Sequence, residues 1–406
     1  MIMFSAKKKQ YYFDHASATP MDGEVFSRMQ KILKTDFYNP SALYAKGQEV
    51  HSTIERARSS IADNLKARPG DIYFFDGATE ANNLVIQGMI ALWRLENPNK
   101  LAHVITSEIE HASVIGLIQG LEKKGLISAS YLSVNSEGLI QSGDLKKTLK
   151  EYPDTAVLSI AYANGEIGSI QDLRSIMKTV RHHRKHQSTE YPLVHSDAVQ
   201  AVNYCDEIGV LQLGIDAMVI NAAKIYGPKK IAAAWIRQNA TPIAMLYGGN
   251  QEKGIRPGTE NASSIVGIAT ALGKTREIQT KELSRLRELQ EYVTSEIQGL
   301  FPVAIINNAL GGNSLPHILN ITFPGLSHEE ILIRLDARGI MCSMKSACKS
   351  GEEGDSHVIR ALRDKETESL RFSFGRDTKK NDINYLLDQL QDIISGMKKT
   401  KEHYLL

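Results

Sequence analysis

From about residue 72 to residue 236, short apolar runs alternate with longer stretches in which apolar positions recur every three or four residues. The short runs fall at 72–75, 103–106, 129–133, 156–160, 193–196, 217–220 and 232–236. Runs of this length bounded by polar or small residues read as buried strands, and the stretches between them as helices. Strands alternating with helices predict an α/β domain around a mostly parallel, seven-stranded sheet. Ligands in such sheets bind at the carboxyl ends of the strands. After Arg276 the pattern changes: Leu283, Leu286, Leu289, Val293, Ile297 and Leu300 keep spacings of three or four, one face of a long helix. Strands are expected at 317–323 and 370–373, followed by a helix with Ile383, Leu386, Leu387, Leu390, Ile394 and Met397 on one stripe. This second region reads as a smaller α+β domain. The expected division is a large domain over 21–270 and a small one made of 1–20 and 271–406.

The chain of 406 residues is long enough for two such domains with a sizeable core. Lys plus Arg number 48 against 46 Asp plus Glu, a balance that argues against direct nucleic-acid binding. No run reaches the ~18 apolar residues that cross a bilayer, and Met1 to Gln10 has no signal-peptide core. The three cysteines, Cys205, Cys342 and Cys348, are too few and too odd in number for a disulfide framework. A cytoplasmic location is expected.

The chemistry begins with Lys224, delivered by the apolar run 216–220 and followed by Gly227-Pro228. A lysine beside apolar residues at a strand end loses its proton more easily and can form a Schiff base with a carbonyl. Asp197 ends the preceding apolar run. Pyridoxal 5'-phosphate (PLP) requires both groups, a lysine for its aldehyde and a carboxylate for its ring nitrogen. Gly77-Ala78-Thr79-Glu80 sits where a strand gives way to a helix, as a phosphate cradle does and as an ordinary turn capped by Thr79 also does. His111 follows a strand, placed to stack on a planar cofactor and move protons, or simply to open a helix. Arg371 interrupts an apolar strand and can grip a substrate carboxylate or an internal acid. Cys348 lies among small and basic residues, where Lys345 and Lys349 favour the thiolate, although a lone cysteine is also commonly a small buried hydrophobe. Cys205 and Cys342 fit the buried description. The cluster His182-His183-Arg184-Lys185-His186 lacks zinc-like spacing and reads as a solvated helix end, so no metal is expected.

In order along the chain stand Tyr12-Phe13-Asp14-His15-Ala16-Ser17-Ala18-Thr19-Pro20, Asn39-Pro40-Ser41, Gly77-Ala78-Thr79-Glu80, Glu110-His111, Glu166-Ile167-Gly168, Asp197-Ala198-Val199-Gln200, Lys224-Ile225-Tyr226-Gly227-Pro228-Lys229, Arg256-Pro257-Gly258-Thr259, Ser346-Ala347-Cys348 and Arg371-Phe372-Ser373. This ordered set resembles the cysteine desulfurases of the NifS/IscS group, in the class V aminotransferase family of fold type I PLP enzymes. The resemblance implies conversion of L-cysteine to L-alanine, with the sulfur held as a persulfide on Cys348, carried by a mobile loop. It further implies that Lys224 binds the PLP aldehyde, Asp197 the ring nitrogen and Gln200 the ring hydroxyl. His111 would stack on the ring, and Ala78 and Thr79 would meet the phosphate. Thr259 is implied as a phosphate contact from the second subunit of a homodimer. Arg371 and Asn39 match the substrate-carboxylate site. The implied partner is a sulfur acceptor, an iron–sulfur scaffold or a tRNA-thiolation protein.

Three positions depart from the family pattern: Gly165 stands where it has a second Asn, Asn221 where it has Ser, though its amide can still donate to the phosphate, and Ala223 where it has His; the segment from Arg360 to Arg371 is also a few residues short. Each lost hydrogen bond to a charged group costs roughly 1.5–3 kcal/mol. These departures keep two other readings open. One is a related PLP enzyme, a selenocysteine lyase or an aminotransferase; the other is a non-catalytic scaffold. Retention of Cys348 in its loop favours desulfuration, and retention of Lys224, Asp197, His111 and Cys348 argues against a scaffold.

Overall fold

The structure is a computed structural model that describes residues 9–309, 312–344, 356–363, 365 and 368–404, with side chains to 397. Its centre is a seven-stranded sheet in the order Ile72–Phe75, Ala232–Ile236, Ala217–Asn221, Leu193–Asp197, Thr155–Ser159, Ala102–Ser107 and Ile127–Leu132. Only Ala232–Ile236 runs against its neighbours. The inner strands are apolar on both faces because helices cover both. On one face Ala78–Glu96 buries Val85, Ile86 and Met89. On the other, the helices Ala45–Leu65 and Leu173–Gln187 bury Ile54, Ile61, Met177 and Val180. All seven expected strands are present, shifted by no more than two residues at either end.

A second, antiparallel sheet pairs Ile305–Ile306, Ile318–Thr322 and Leu370–Ser373. Tyr11–Tyr12 runs parallel to Ile340–Met341, and Asp14 bridges to Ser373, so the start of the chain lies against this region. The helix expected after Arg276 begins earlier, at Ala262, and runs unbroken to Leu300. Its first turns pack beside the large sheet's helices; further along, Gln290 Nε2 donates to Leu315 O and Ile318 O of the small-sheet region at 3.1 and 2.7 Å.

The 182–186 cluster is only partly a solvated helix end. His182, Lys185 and His186 are exposed, but His183 is buried and bonds Pro153 O through Nε2 at 3.1 Å. Arg184 turns inward onto the buried carboxylate of Asp216. The amphipathic period places these two residues on the core side of the helix, and composition alone hides that. Among the described residues no His/Cys/Asp/Glu group could hold a metal ion, and no helix is long and apolar enough to cross a membrane.

Candidate active site

Lys224, Asp197, Gln200, Asn221, His111, Ala78, Thr79 and Arg371 line one cleft. Each follows, ends or lies just past a strand except Arg371, which reaches in from the small sheet. The strands of the large sheet fix their carboxyl ends to within a fraction of a turn, so chain segments far apart in sequence converge there.

One wall of the cleft is a network of neutral donors and acceptors around Asp197. Its Oδ2 accepts from Asn82 Nδ2 at 2.8 Å and its Oδ1 from the Val199 amide at 3.0 Å. Asn82 is fully buried and also donates to Ser113 Oγ at 2.9 Å. Ser113 meets His111 Nδ1 twice, through its amide at 3.1 Å and its hydroxyl at 2.8 Å. The amide can only donate, so Nδ1 is the acceptor and the neutral ring carries its proton on Nε2. His111 also opens the helix Ala112–Lys123 as its N-cap, so the helix-opening role and the cleft position hold together. Behind Asn82 lies His195, 3.2 Å from Asn82 Oδ1 and 2.9 Å from Ser159 Oγ. Burial pushes the His195 imidazole down to about 4, despite the opposing charge of Asp197, so it is neutral at pH 7. Glu110, also in the cleft wall, is pushed up to about 7 by burial, against the pull of donors on Ser107 and Ala161.

The opposite wall is built on the turn at residues 14–19. Lys224 Nζ donates to Ala16 O at 2.9 Å and to Ser17 O. Gln200 Nε2 shares Ala16 O at 2.8 Å. Arg371 is only 2% exposed, with Nη1 on Gly165 O at 2.9 Å and Nη2 on Asp14 Oδ1 at 2.8 Å and Ser17 Oγ at 2.6 Å. The internal-acid reading of Arg371 is therefore realised in a side chain that also lines the cleft.

At the anion end, the N-cap of helix Ala78–Glu96 is Gly77, at φ 129°, and not Thr79. No side chain caps this helix, so its first amides and its dipole face the cleft where Ala78 and Thr79 line it. Asn221 Oδ1 is engaged by the Ala223 amide at 3.0 Å, which leaves its NH2 as the end that can donate to an anion. An anion cradle, a lysine and a buried carboxylate in one cleft form a donor set that fits PLP. The departures at Gly165 and Ala223 have different surroundings. A Cβ on Gly165 would come within 3.0 Å of the Gln200 side chain, so Gln200 fills the space of a larger residue there. The Ala223 carbonyl accepts from Thr19, and its methyl supplies no donor.

Asn39 and Thr259 do not line the cleft. Cys348 lies outside the described residues. Cys205 is buried, its thiol pushed up to about 12 by desolvation; Cys342 is half-buried and its thiol is also pushed up by burial. Residues given no role from the sequence also serve the site. Asn82 ties Asp197 to His111. Glu166 takes a hydrogen bond from Ser356, which caps the helix His357–Leu362, and His357 bonds Glu110 O at 3.0 Å from the cleft edge. An amide at position 82, among the buried Ala81, Val85 and Ile86, is the one signal that pointed to Asn82, because a core amide needs partners.

The class V aminotransferase family profile matches residues 11–386. Cysteine desulfurase IscS of Dictyoglomus turgidum is 36% identical over 395 residues, 96% of each chain. A solved NifS-like protein superposes with a TM-score of 0.85 at 28% identity, covering 95% of this chain and 100% of that one. A structure described as SspA in complex with cysteine superposes at 0.74 with 30% identity, over 90% and 99% of the two chains. This chain belongs to the class V aminotransferases, a family of PLP-dependent fold type I enzymes, in the branch of the cysteine desulfurases.

Proposed function

We propose that this chain converts L-cysteine to L-alanine with PLP as cofactor and leaves the sulfur as a persulfide on Cys348. The observation that carries the reading is the single cleft in which Lys224 and Asp197 meet His111 and Arg371. The desulfurase relatives support it.

Bound PLP supplies a store for the electron pair released at the substrate α-carbon. Lys224 would hold its aldehyde, and the Lys224 Nζ would take the α-proton of the substrate. Ala78, Thr79 and Asn221 would hold its phosphate, Gln200 its ring hydroxyl, and Asp197 its ring nitrogen, with Asn82 keeping the Asp197 carboxylate aimed. His111 would lie against the ring and offer its Nε2–H. Arg371 would orient the substrate carboxylate, a role the structure leaves without Asn39, which lies off the cleft. Cys348 Sγ bonds to the substrate sulfur as the carbon–sulfur bond breaks, and the carbon takes a proton to give alanine.

The chain acts as a homodimer in which Thr259 completes the neighbour's phosphate site. Exposed Phe26, Phe37, Leu43, Tyr44 and Tyr247, and the position of Thr259 off its own cleft, support this. The large domain is residues 21–270 and the small one 1–20 with 271–406. The persulfide passes in the cytoplasm to an iron–sulfur scaffold or a tRNA-thiolation protein.

Purified protein with PLP is expected to show a visible absorption band that Lys224→Ala lacks. With L-cysteine and reductant it should release alanine and sulfide. Equal sulfide from wild type and Cys348→Ala removes Cys348 from the reaction; no alanine at all overturns the reading.

A further inference from the structure

A guanidinium has five N–H groups, and a carboxylate that binds it with both oxygens uses either the Nη1–Nη2 edge or the Nε–Nη2 edge. Both edges need an Nη2 proton. In Arg371 Nη2 already donates to Asp14 Oδ1 and to Ser17 Oγ, at 2.8 and 2.6 Å. Ser17 Oγ in turn donates to Asp14 Oδ1 at 2.8 Å, so the two acceptors are fixed relative to each other. Nη1 spends one proton on Gly165 O, and the buried Nε has no hydrogen-bond partner among the described residues. An arriving carboxylate therefore finds one spare proton on Nη1, beside an occupied Nη2 and with the Nε proton buried.

We propose that Asp14 is a specificity-determining competitor for Arg371, weakening the site so that a single α-carboxylate binds reversibly and the product leaves. The inference rests on the substrate-carboxylate reading of Arg371 given above. The Asp14 carboxylate does two things at once. It neutralises a guanidinium buried to 97% of its side chain, which alone would hold any small anion. It also sets a fixed negative charge beside the incoming carboxylate, so substrate and product α-carboxylates bind against repulsion. Dicarboxylic amino acids, with a second charge near Asp14, are disfavoured further. Asp14 touches neither the substrate nor the reacting atoms in this scheme; it acts through Arg371.

The test is a titration of L-alanine into wild type, Asp14→Asn, Ser17→Ala and Arg371→Lys by calorimetry, with and without PLP, beside steady-state kinetics with L-cysteine. Asp14→Asn keeps an acceptor for Nη2 and removes only the charge. It is expected to tighten L-alanine about tenfold and lower the KM for L-cysteine by a similar factor, as one screened charge near a partly buried site does. The kcat is expected to change less than threefold. Ser17→Ala, which frees a proton without changing charge, should tighten alanine about twofold, and Arg371→Lys should abolish binding. A structural role alone would lower kcat and thermal stability and leave the alanine affinity unimproved. Unchanged or weaker alanine binding in Asp14→Asn overturns the proposal. If that variant does not fold, weaker binding in Ser17→Ala does the same. Tighter alanine binding without turnover of cysteine would leave Asp14 in this role and remove the desulfurase reading.

Discussion

The two walls of the cleft are held by different physics. Around Asp197 the partners are a buried amide, hydroxyls and a neutral imidazole, linked from His195 through Asn82 to His111. Around Arg371 and Lys224 the partners are three backbone carbonyls, a carboxylate and a hydroxyl, all but Gly165 O supplied by the turn at 14–19. In the first wall Asn82, Ser113 and His195 are uncharged and buried, while His111 at its edge is exposed, so removing a buried member leaves another unsatisfied. In the second wall a ligand can take over an ionic contact. A rigid wall suits a cofactor that stays; an exchangeable one suits substrate and product that come and go.

The largest break should come from Asn82→Ala. It strips a hydrogen bond from the Asp197 carboxylate and leaves Ser113 and His195 each short of a partner, a loss of about 3 kcal/mol. PLP affinity is expected to fall by one to two orders of magnitude, read from the visible band during cofactor titration. A loss confined to thermal stability, with PLP affinity intact, would show that the first wall does not aim Asp197.

Acid should also act mainly through buried neutral histidines. His195 and His103 are both held down to about 4, and His317, stacked on Tyr204, lies well below its ordinary value through burial. A group depressed in the folded state stabilises it above its unfolded value, near 6.5, and that contribution is lost as pH falls towards 4. Glu110, raised to about 7, works in the opposite sense between 4.5 and 7. Three histidines outweigh one carboxyl, so melting of the cofactor-free protein is expected to drop steadily from pH 6.5 to 4. His195→Asn should flatten part of that slope. A profile unchanged by this variant would detach the first wall from the acid response.

Ser356→Ala should cost about 1–2 kcal/mol, because one hydroxyl both caps the helix His357–Leu362 and donates to Glu166. Chemical denaturation reads it directly. The smallest effect is expected from Gly165→Ala. The Gln200 side chain must shift by a few tenths of an ångström, costing less than about 1 kcal/mol. PLP affinity should change by no more than a few fold, and a larger gain would mean that Gly165 had left a contact unfilled.

Most strands of the large sheet were legible because they are short, buried, largely apolar runs, and the site lysine and aspartate could be placed at their ends; the edge strand Ile127–Leu132, half-buried in its middle, carries Ser128 and Ser130. The start of the helix Ala262–Leu300 was not legible. Its first turns are buried on nearly every side, so no single apolar stripe marks them, and the small residues Ala262, Ser263, Ser264 and Gly267 stand beside Ile265 and Ile268. Their reason is contact: a Cβ on Gly267 would meet Met29 Sδ and Pro228 at 2.8 Å. The pairs Tyr11–Tyr12, Ile305–Ile306 and Ile340–Met341 are too short for any period to register. In the site, residues that face the cleft through their own chemistry were recognisable. Asn82, Glu166 and Ser356 act through other side chains, and spacing along the sequence does not encode such pairings.

The 39-residue helix Ala262–Leu300 is a rod of about 58 Å. Thr259 stands just before its first residue. Well down its length, Arg285 donates to Gly375 O and Thr378 O, beyond the strand that carries Arg371. A rod of this length is a lever: a tilt of about 2° at one end moves the other by about 2 Å. Any angular adjustment that seats the Thr259 end is therefore magnified into a displacement comparable to the difference between a made and a broken hydrogen bond at the far end.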